Sequence, residues 1–278
     1  MPVAVVTDST CDLPADLVAQ HGIEVVPLTI RFGDEELVDR QDLTPKEFWA
    51  RCASSSTLPE TAAPSPGAFG QAFRRAAERG ADGVVCVNIS SKLSATIQAA
   101  QAAAHETEGE LPVRVVDSRS VTMGLGMIVL GTARAGAASS SAEEVAAVAE
   151  ELSGRTRVYG TLDTLENLKK GGRIGGAQAF LGSLLSVKPS IEVREGAVEP
   201  GPKLRTRAKG LAWLAERVAS DKPTGDVAVV HGDAPDVDQL TALLAGNVPA
   251  ERILIADLGP VVGTHAGPRT IGVAYQVG

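Results

Sequence analysis

Val3-Ala-Val-Val-Thr-Asp-Ser-Thr-Cys-Asp-Leu-Pro14 stands at the start of the chain. Val3–Thr7 is a short β-branched run that reads as a buried strand. Residues 8–14 form a polar turn ending on proline, and a short helix follows until Gly22 stops it. The same step recurs downstream. Val84–Ile89 leads through Ser90–Ser94 into an Ala/Gln-rich helix over Ser94–His105, and Val113–Asp117 leads into a helix across Met123–Arg134. Strands alternating with helices predict a parallel sheet covered on both faces, a three-layer α/β/α unit.

Between these steps, Ile23–Phe32 reads as a second strand. Thr44-Pro-Lys-Glu47 is a capping box that opens a helix carrying Phe48 and Trp49. Residues 54–67 are too rich in Ser, Thr and Pro for an element, and Ser65-Pro66 opens a helix through Arg79. Ser141-Ala-Glu-Glu144 caps one more helix. The rhythm then changes. Val158–Thr161 reads as a strand, Asp163–Lys170 and Gln178–Leu185 as helices, and Val187–Val193 with Val198 onward as a hairpin about Glu195-Gly196. A helix from Thr206 to Ser220, strands at Val227–His231, Ile253–Ala256 and Ile271–Gln276, and a helix near Val237–Leu244 complete it. The fold class predicted is therefore α/β with two domains. Residues 1–152 form the parallel α/β/α domain, and residues 153–278 a mixed α/β domain.

Composition narrows the function. The 278 residues are 44% apolar, which excludes a disordered chain, and carry a net charge of −8. Such a charge repels a phosphate backbone, and 3% aromatics leave little to stack bases on, so no nucleic-acid partner is expected. Cys11, Cys52 and Cys86 are odd in number and widely spaced, and read as reduced thiols of a cytoplasmic protein. An acid at position 8 comes too soon for a signal peptide. The longest apolar run, Val121 to Ala133, is too short for the ~20 residues of a membrane span. The expectation is a soluble protein with at most a transient membrane contact.

Several chemistries lack their motifs. No G-x-G-x-x-G follows a strand, and no Walker A, H-E-x-x-H or G-x-S-x-G occurs. The four histidines lie far apart in sequence, so no metal is expected. What remains is a set of hydroxyl- and glycine-rich loops at Asp8–Thr10, Thr61–Ser65, Ser90–Ser94 and Gly259–Pro268. Three of them follow strands, where ligands bind in open parallel sheets. Taken singly, such residues are ordinary caps and turns.

Val5–Pro14, Thr61–Gly67, Ser90–Thr96, Leu162–Gly175 and Leu258–Gly272 together resemble the DegV family, in order and over nearly the whole chain. The resemblance implies a fatty-acid-binding subunit of bacterial fatty acid kinase, with a long-chain fatty acid in a tunnel between two α/β domains. It implies that Thr61, Ser94 and His265 meet the carboxylate. It also implies an ATP-dependent kinase subunit that makes the acyl phosphate, which feeds phospholipid synthesis. The chain itself would then be no enzyme and hold no cofactor, only the bound fatty acid. Ala62, Ala95 and Arg269 depart from the pattern, where Ser, Gly and Gly are usual.

Elementary chemistry agrees with that implication. Each buried CH₂ contributes ~0.8 kcal/mol, so a dry slot past Met123–Ile128 and Leu181–Leu185 would hold a long chain. Two hydroxyls and an imidazole N–H are neutral donors for its head group. Lys169–Arg173 and Lys203–Lys209 are cationic islands in an acidic chain, and Arg173 and Arg205 are the candidates for docking the kinase. A serine hydrolase or acyltransferase is the alternative. It would use Ser94 or Ser65 as nucleophile, His265 as base and Asp8 or Asp117 as orienter.

Overall fold

The computed structural model describes residues 3–55, 57–139, 141–180 and 188–278. Strands β1 (Val3–Asp8), β2 (Glu24–Val26), β6 (Gly83–Asn88) and β7 (Val113–Asp117) form a parallel sheet in the order β2-β1-β6-β7. Alternate residues of a strand face opposite sides. Val6, Val84 and Cys86 pack on the Phe69–Phe73 face of α3 (Pro66–Glu78) and on α4 (Thr96–Glu106). Val5, Val85 and Val87 face α5 (Met123–Ala138) and α6 (Ala142–Arg155). α1 (Ala15–Gln20) links β1 to β2.

The second sheet holds β8 (Thr156–Thr161), β9 (Lys188–Arg194), β10 (Ala197–Leu204), β11 (Val227–His231), β12 (Ile253–Asp257) and β13 (Ile271–Gln276). Its order is β10-β9-β8-β13-β11-β12, and only β11 and β12 run parallel. α8 (Arg207–Asp221) and α9 (Val237–Leu244) cover its outer face through Leu211, Leu214 and Leu240. The inner face meets α5, so one apolar core runs from Val5 through Leu125 to Val158, Val230 and Ala274. A helix held between two sheets has no solvent side, which is why Met123–Leu130 is buried without interruption. Gly126 makes the fit to the turn after β1 possible, since a Cβ there would lie 2.6 Å from the Cys11 carbonyl oxygen.

A third, antiparallel sheet in the order β4-β3-β5 comprises β3 (Thr29–Phe32), β4 (Glu35–Val38) and β5 (Glu60–Ala62). It corrects two readings. Ile23–Phe32 is not one strand: the chain leaves the first sheet at Pro27, which has no N–H for a ladder, and pairs anew as β3. Residues 54–67 are not all loop, because Thr61 pairs with Ile30. Composition misses such a strand because its partner, not its own side chains, supplies the register.

α2 (Pro45–Ser54) has the expected capping box, and α7 (Glu166–Lys170) is shorter than expected. The Gly259–Pro268 stretch, read as loop, contains α10 (Pro260–Ala266), with Gly259 as N-cap and Pro at the first helical position. Of the helix expected over Gln178–Leu185, residues 178–180 belong to a 3-10 turn, Gly175–Phe180, and 181–185 lie outside the described residues. α6 continues to Arg155, three residues past the expected domain boundary, because its apolar face stays packed on α5 and β7.

Candidate ligand-binding site

The two main sheets leave a cavity of about 210 Å³ between them, far above the ~10–15 Å³ that one buried water needs. Its wall is chiefly aliphatic, with Leu28, Ile89 and Val121 from the first half of the chain facing Ile191, Val230 and Val261 from the second. No Phe, Tyr or Trp lines it among the described residues. The polar wall residues are Thr61, Ser94, Thr122, Arg173, His265 and Thr270. Two of these have spent their hydroxyl protons: Thr122 donates to Asp12 at 2.6 Å and Thr270 to the Ala266 carbonyl at 2.9 Å.

Thr61, Arg173 and His265 also line an outer vestibule with Asn167 and Lys170, so they mark the mouth. β5 carries Thr61 and α10 carries His265, and these elements bring Thr61 Oγ1 within 3.1 Å of His265 Nε2. His265 Nδ1 is buried without a hydrogen-bond partner. It abuts Gly171 so closely that a Cβ at that position would collide with it. Burial, together with the positive charge of Arg173, pushes the imidazole down to about 4, so it is neutral near pH 7.

Ser94 lies on the same wall, half-buried, 2.8 Å from the Thr96 hydroxyl and accepting from the Thr96 N–H at 3.2 Å. Arg173 is placed differently from the sequence reading. It is no free docking residue: its Nε donates to the Leu93 carbonyl at 3.0 Å and its Nη1 to the Gly171 carbonyl at 2.6 Å. The wall is thus not limited to neutral donors. The signal was present in Gly171-Gly172 before Arg173, since adjacent glycines mark backbone that something else must approach closely. Arg205 is exposed, whereas Arg207 turns inward to pair with Asp236 at 2.6 Å. Arg269 takes φ 60° and pairs with Asp163 at 3.2 Å.

The lining expected from Met123–Ile128 is displaced by one turn. Those residues are core, and Val121 and Thr122 reach the cavity instead. Leu181–Leu185 lies outside the described residues. At the end away from the mouth, Val158 and Val193 sit opposite each other across β8 and β9, and both also border a groove with Arg119, Arg157 and Arg194.

The residues considered for a hydrolase do not assemble. Ser65 is exposed and caps α3 by accepting from the Ala68 N–H at 3.3 Å. Asp8 accepts from Asn88 Nδ2 and the Ile89 N–H, and Asp117 from the Ser91 and Arg119 N–H groups. Neither carboxylate orients His265. No cluster of three or more His, Cys, Asp or Glu side chains is placed to hold a metal ion among the described residues, and none of their helices is long and apolar enough to cross a membrane.

Fold and cavity together define an α/β protein whose two main sheets enclose an apolar cavity. The chain belongs to the DegV family, whose model, described as uncharacterised protein, matches residues 2–277. It is 40% identical over 279 residues to a DegV domain-containing protein of Streptomyces coelicolor, covering 99% of this chain and 98% of that one. A fatty-acid-binding DegV family protein from Thermus thermophilus has a solved structure that is 38% identical, with TM-score 0.90 and full coverage of both chains. DegV of Bacillus subtilis, described as a fatty acid binding protein, is 30% identical with TM-score 0.87 over 100% of both chains.

Proposed function

We propose that this chain binds one long-chain fatty acid, its hydrocarbon in the slot and its carboxylate at the mouth, and presents that carboxylate to a separate kinase subunit. The observation that carries the reading is an aliphatic cavity with the Thr61–His265 pair and Arg173 at its opening. About fifteen methylenes at ~0.8 kcal/mol each supply on the order of 12 kcal/mol before ordering costs. The relatives described as fatty acid binding support the choice of ligand.

The neutral imidazole suits the head group. With the proton on Nε2, His265 donates to Thr61 Oγ1, and the threonine O–H is then free to donate to the carboxylate. That tautomer also leaves a bare acceptor, not a stranded N–H, against Gly171. Ser94 supplies a second hydroxyl, and Arg173 places positive charge where an acyl phosphate would form. The chain performs no chemistry of its own. An ATP-dependent kinase subunit phosphorylates the ligand in the cytoplasm, Arg205 belongs to its docking surface, and the acyl phosphate enters phospholipid synthesis.

Mass spectrometry tests the ligand. Native spectra of the purified chain should show one fatty acid that leaves under denaturing conditions. Failure to recover a lipid, together with failure to take up added palmitate or oleate, would overturn the reading. Reconstitution with the kinase subunit and ATP should then yield acyl phosphate only when the carrier is loaded.

A further inference from the structure

The polar turn after β1 remains outside the account so far, although it holds a fully enclosed carboxylate. Asp12 is 2% exposed. One oxygen accepts from Thr122 Oγ1 at 2.6 Å. The other accepts from the Gly259 N–H at 3.0 Å and from Arg40 Nη2 at 3.3 Å. Two of these partners lead to the cavity, and the third braces the turn itself. Thr122 lines it, Gly259 begins the helix that carries His265, and Arg40 Nη1 donates to the Leu13 carbonyl beside the same turn. Glycine at 259 permits this close approach, since a Cβ there would meet the Asp12 carboxylate at 2.5 Å and force a shift.

The backbone at this junction is strained. Asp12, Arg40 and Thr122 take φ of 51°, 65° and 51°, in the left-handed region that side chains disfavour, most of all a β-branched one. Strain of this kind persists only where the surroundings over-determine it, and it clusters at ligand sites. We propose that Asp12 is a positioning residue of the ligand site, whose buried carboxylate locks the Thr122 wall of the slot to the start of the His265 helix. The proposal rests on the fatty-acid reading of the cavity, and one of its readouts does not.

The charge on Asp12 is then a handle. Burial raises its carboxyl to about 7, against the opposing pull of Arg40. The groups that face it are Arg40, Asp39 and the neighbouring Cys11, with Asp8 at the other end of the turn. Cys11 is pushed up to about 12 by burial and stays protonated. Asp39 is raised to about 6 by burial, against the opposing pull of Ser9 and Arg40. Asp8 is raised by burial but anchored by Thr10, Asn88 and Ile89. α5 brings only Arg134, at its far end, and α10 only His265.

If binding needs the ionised carboxylate, the ligand lowers its pKa. Affinity is then full above the free-chain value and falls as pH drops through it. In a displacement titration with a fluorescent fatty acid, the parent should lose roughly tenfold in affinity from pH 8 to pH 6. Asp12→Asn should bind at pH 8 as the parent does at pH 6, with a flat profile. Its melting temperature at pH 8 should equal or exceed the parent's, because a costly buried charge is gone. Thr122→Val should shift affinity the same way by about threefold, and Thr122→Ser should restore it. Asp39→Asn should keep the pH dependence.

A parent-like profile in Asp12→Asn overturns the proposal. So does an affinity loss that only tracks a lower melting temperature, or flattening that follows Asp39→Asn instead. The second readout needs no ligand. The His265 imidazole resonance of the free chain, assigned by its absence in His265→Gln, should move between pH 6 and 8 in the parent and stay fixed in Asp12→Asn. A resonance that moves equally in both overturns the proposal, even if the chain binds no fatty acid at all. A parent that binds none overturns the fatty-acid reading and leaves this second test standing.

Discussion

The two ends of the cavity are made of opposite materials. Where Val158 and Val193 face each other, the wall offers only methyl groups from paired strands. At the mouth, Thr61, His265 and Arg173 come from a short strand, a short helix and a loop, and each is held by a polar contact. Methyl contacts add up with area and have no direction, so under the proposed reading the far end would supply affinity. Hydrogen bonds to a charged oxygen are directional, so the mouth would decide which way round such a ligand lies. Perturbing one end at a time should separate these contributions.

The largest effect is expected from charge at the apolar end. Val193→Asp places a carboxylate in the apolar wall of the slot, beside the groove that Arg119, Arg157 and Arg194 line on its other side. Affinity should fall by about a hundredfold or more, on the order of 3 kcal/mol. Circular dichroism should stay parent-like, because Val193 is only half-buried. Unchanged affinity by displacement titration would mean that the chain does not reach β8 and β9.

Next in size is an acid effect confined to the mouth. His265 sits near 4 in the folded chain, below its ordinary 6.5. The unfolded chain therefore binds this proton first. The stability tied to His265 is complete above 6.5 and is lost as pH falls through about 4, roughly 3 kcal/mol in all. Asp12 acts in the opposite sense. Its raised value costs stability as pH climbs from the ordinary carboxylate range through about 7. The two slopes offset each other between pH 4 and 6.5 in the parent. His265→Gln should expose the Asp12 slope there, with urea midpoints that rise steadily toward acid. Midpoints in that variant as flat as the parent's would show that the imidazole is not buried as described.

Removing single donors should cost less. Thr61→Val leaves a charged head group one hydrogen bond short, ~1.5–3 kcal/mol or about tenfold and upward in affinity. Ser94→Ala should cost less than Thr61→Val, because the Ser94 hydroxyl is already shared with Thr96. Melting temperatures should barely move. If both variants bind fatty acid as tightly as the parent, these hydroxyls are helix and turn caps and the mouth does not read the head group.

The same contrast explains what was legible in the sequence. The first sheet and its helices follow from periodicity and caps, as at Thr44 and Ser141, because those signals are local. β5 and α10, which bring Thr61 and His265 together, have the composition of loops. Glu60–Ala62 is a strand only because β3 offers it an edge, and a seven-residue helix leaves little periodicity to read. Arg173 has the composition of a solvated charge run, and the Gly171-Gly172 pair marks a close approach without naming the two backbone carbonyls that receive the guanidinium. Thr61, Ser94 and His265 came from the family resemblance. Asp12 could be quoted as part of a motif, but its role emerges only when residues 110 and 247 positions away are brought to it.

The smallest effect tests where the mouth ends and the outer surface begins. Arg173 lies in the wall and Arg205 is exposed. Arg173→Ala should therefore act on the ligand as well as on phosphoryl transfer. It weakens fatty-acid binding and lets the His265 imidazole titrate higher, because Arg173 is one of the two causes that hold it down. Arg205→Ala should leave fatty-acid affinity untouched and slow acyl phosphate formation by the kinase subunit by about threefold at low salt, the range of an exposed ion pair. At high salt the slowing should vanish, since charges farther apart than ~8 Å are already screened at physiological ionic strength. Steady-state rates at two salt concentrations, set beside equilibrium titrations of both variants, make the comparison. If Arg205→Ala matches the parent throughout while Arg173→Ala is slow at every salt concentration, the kinase reads the mouth itself and the island around Arg205 is only a solvated face.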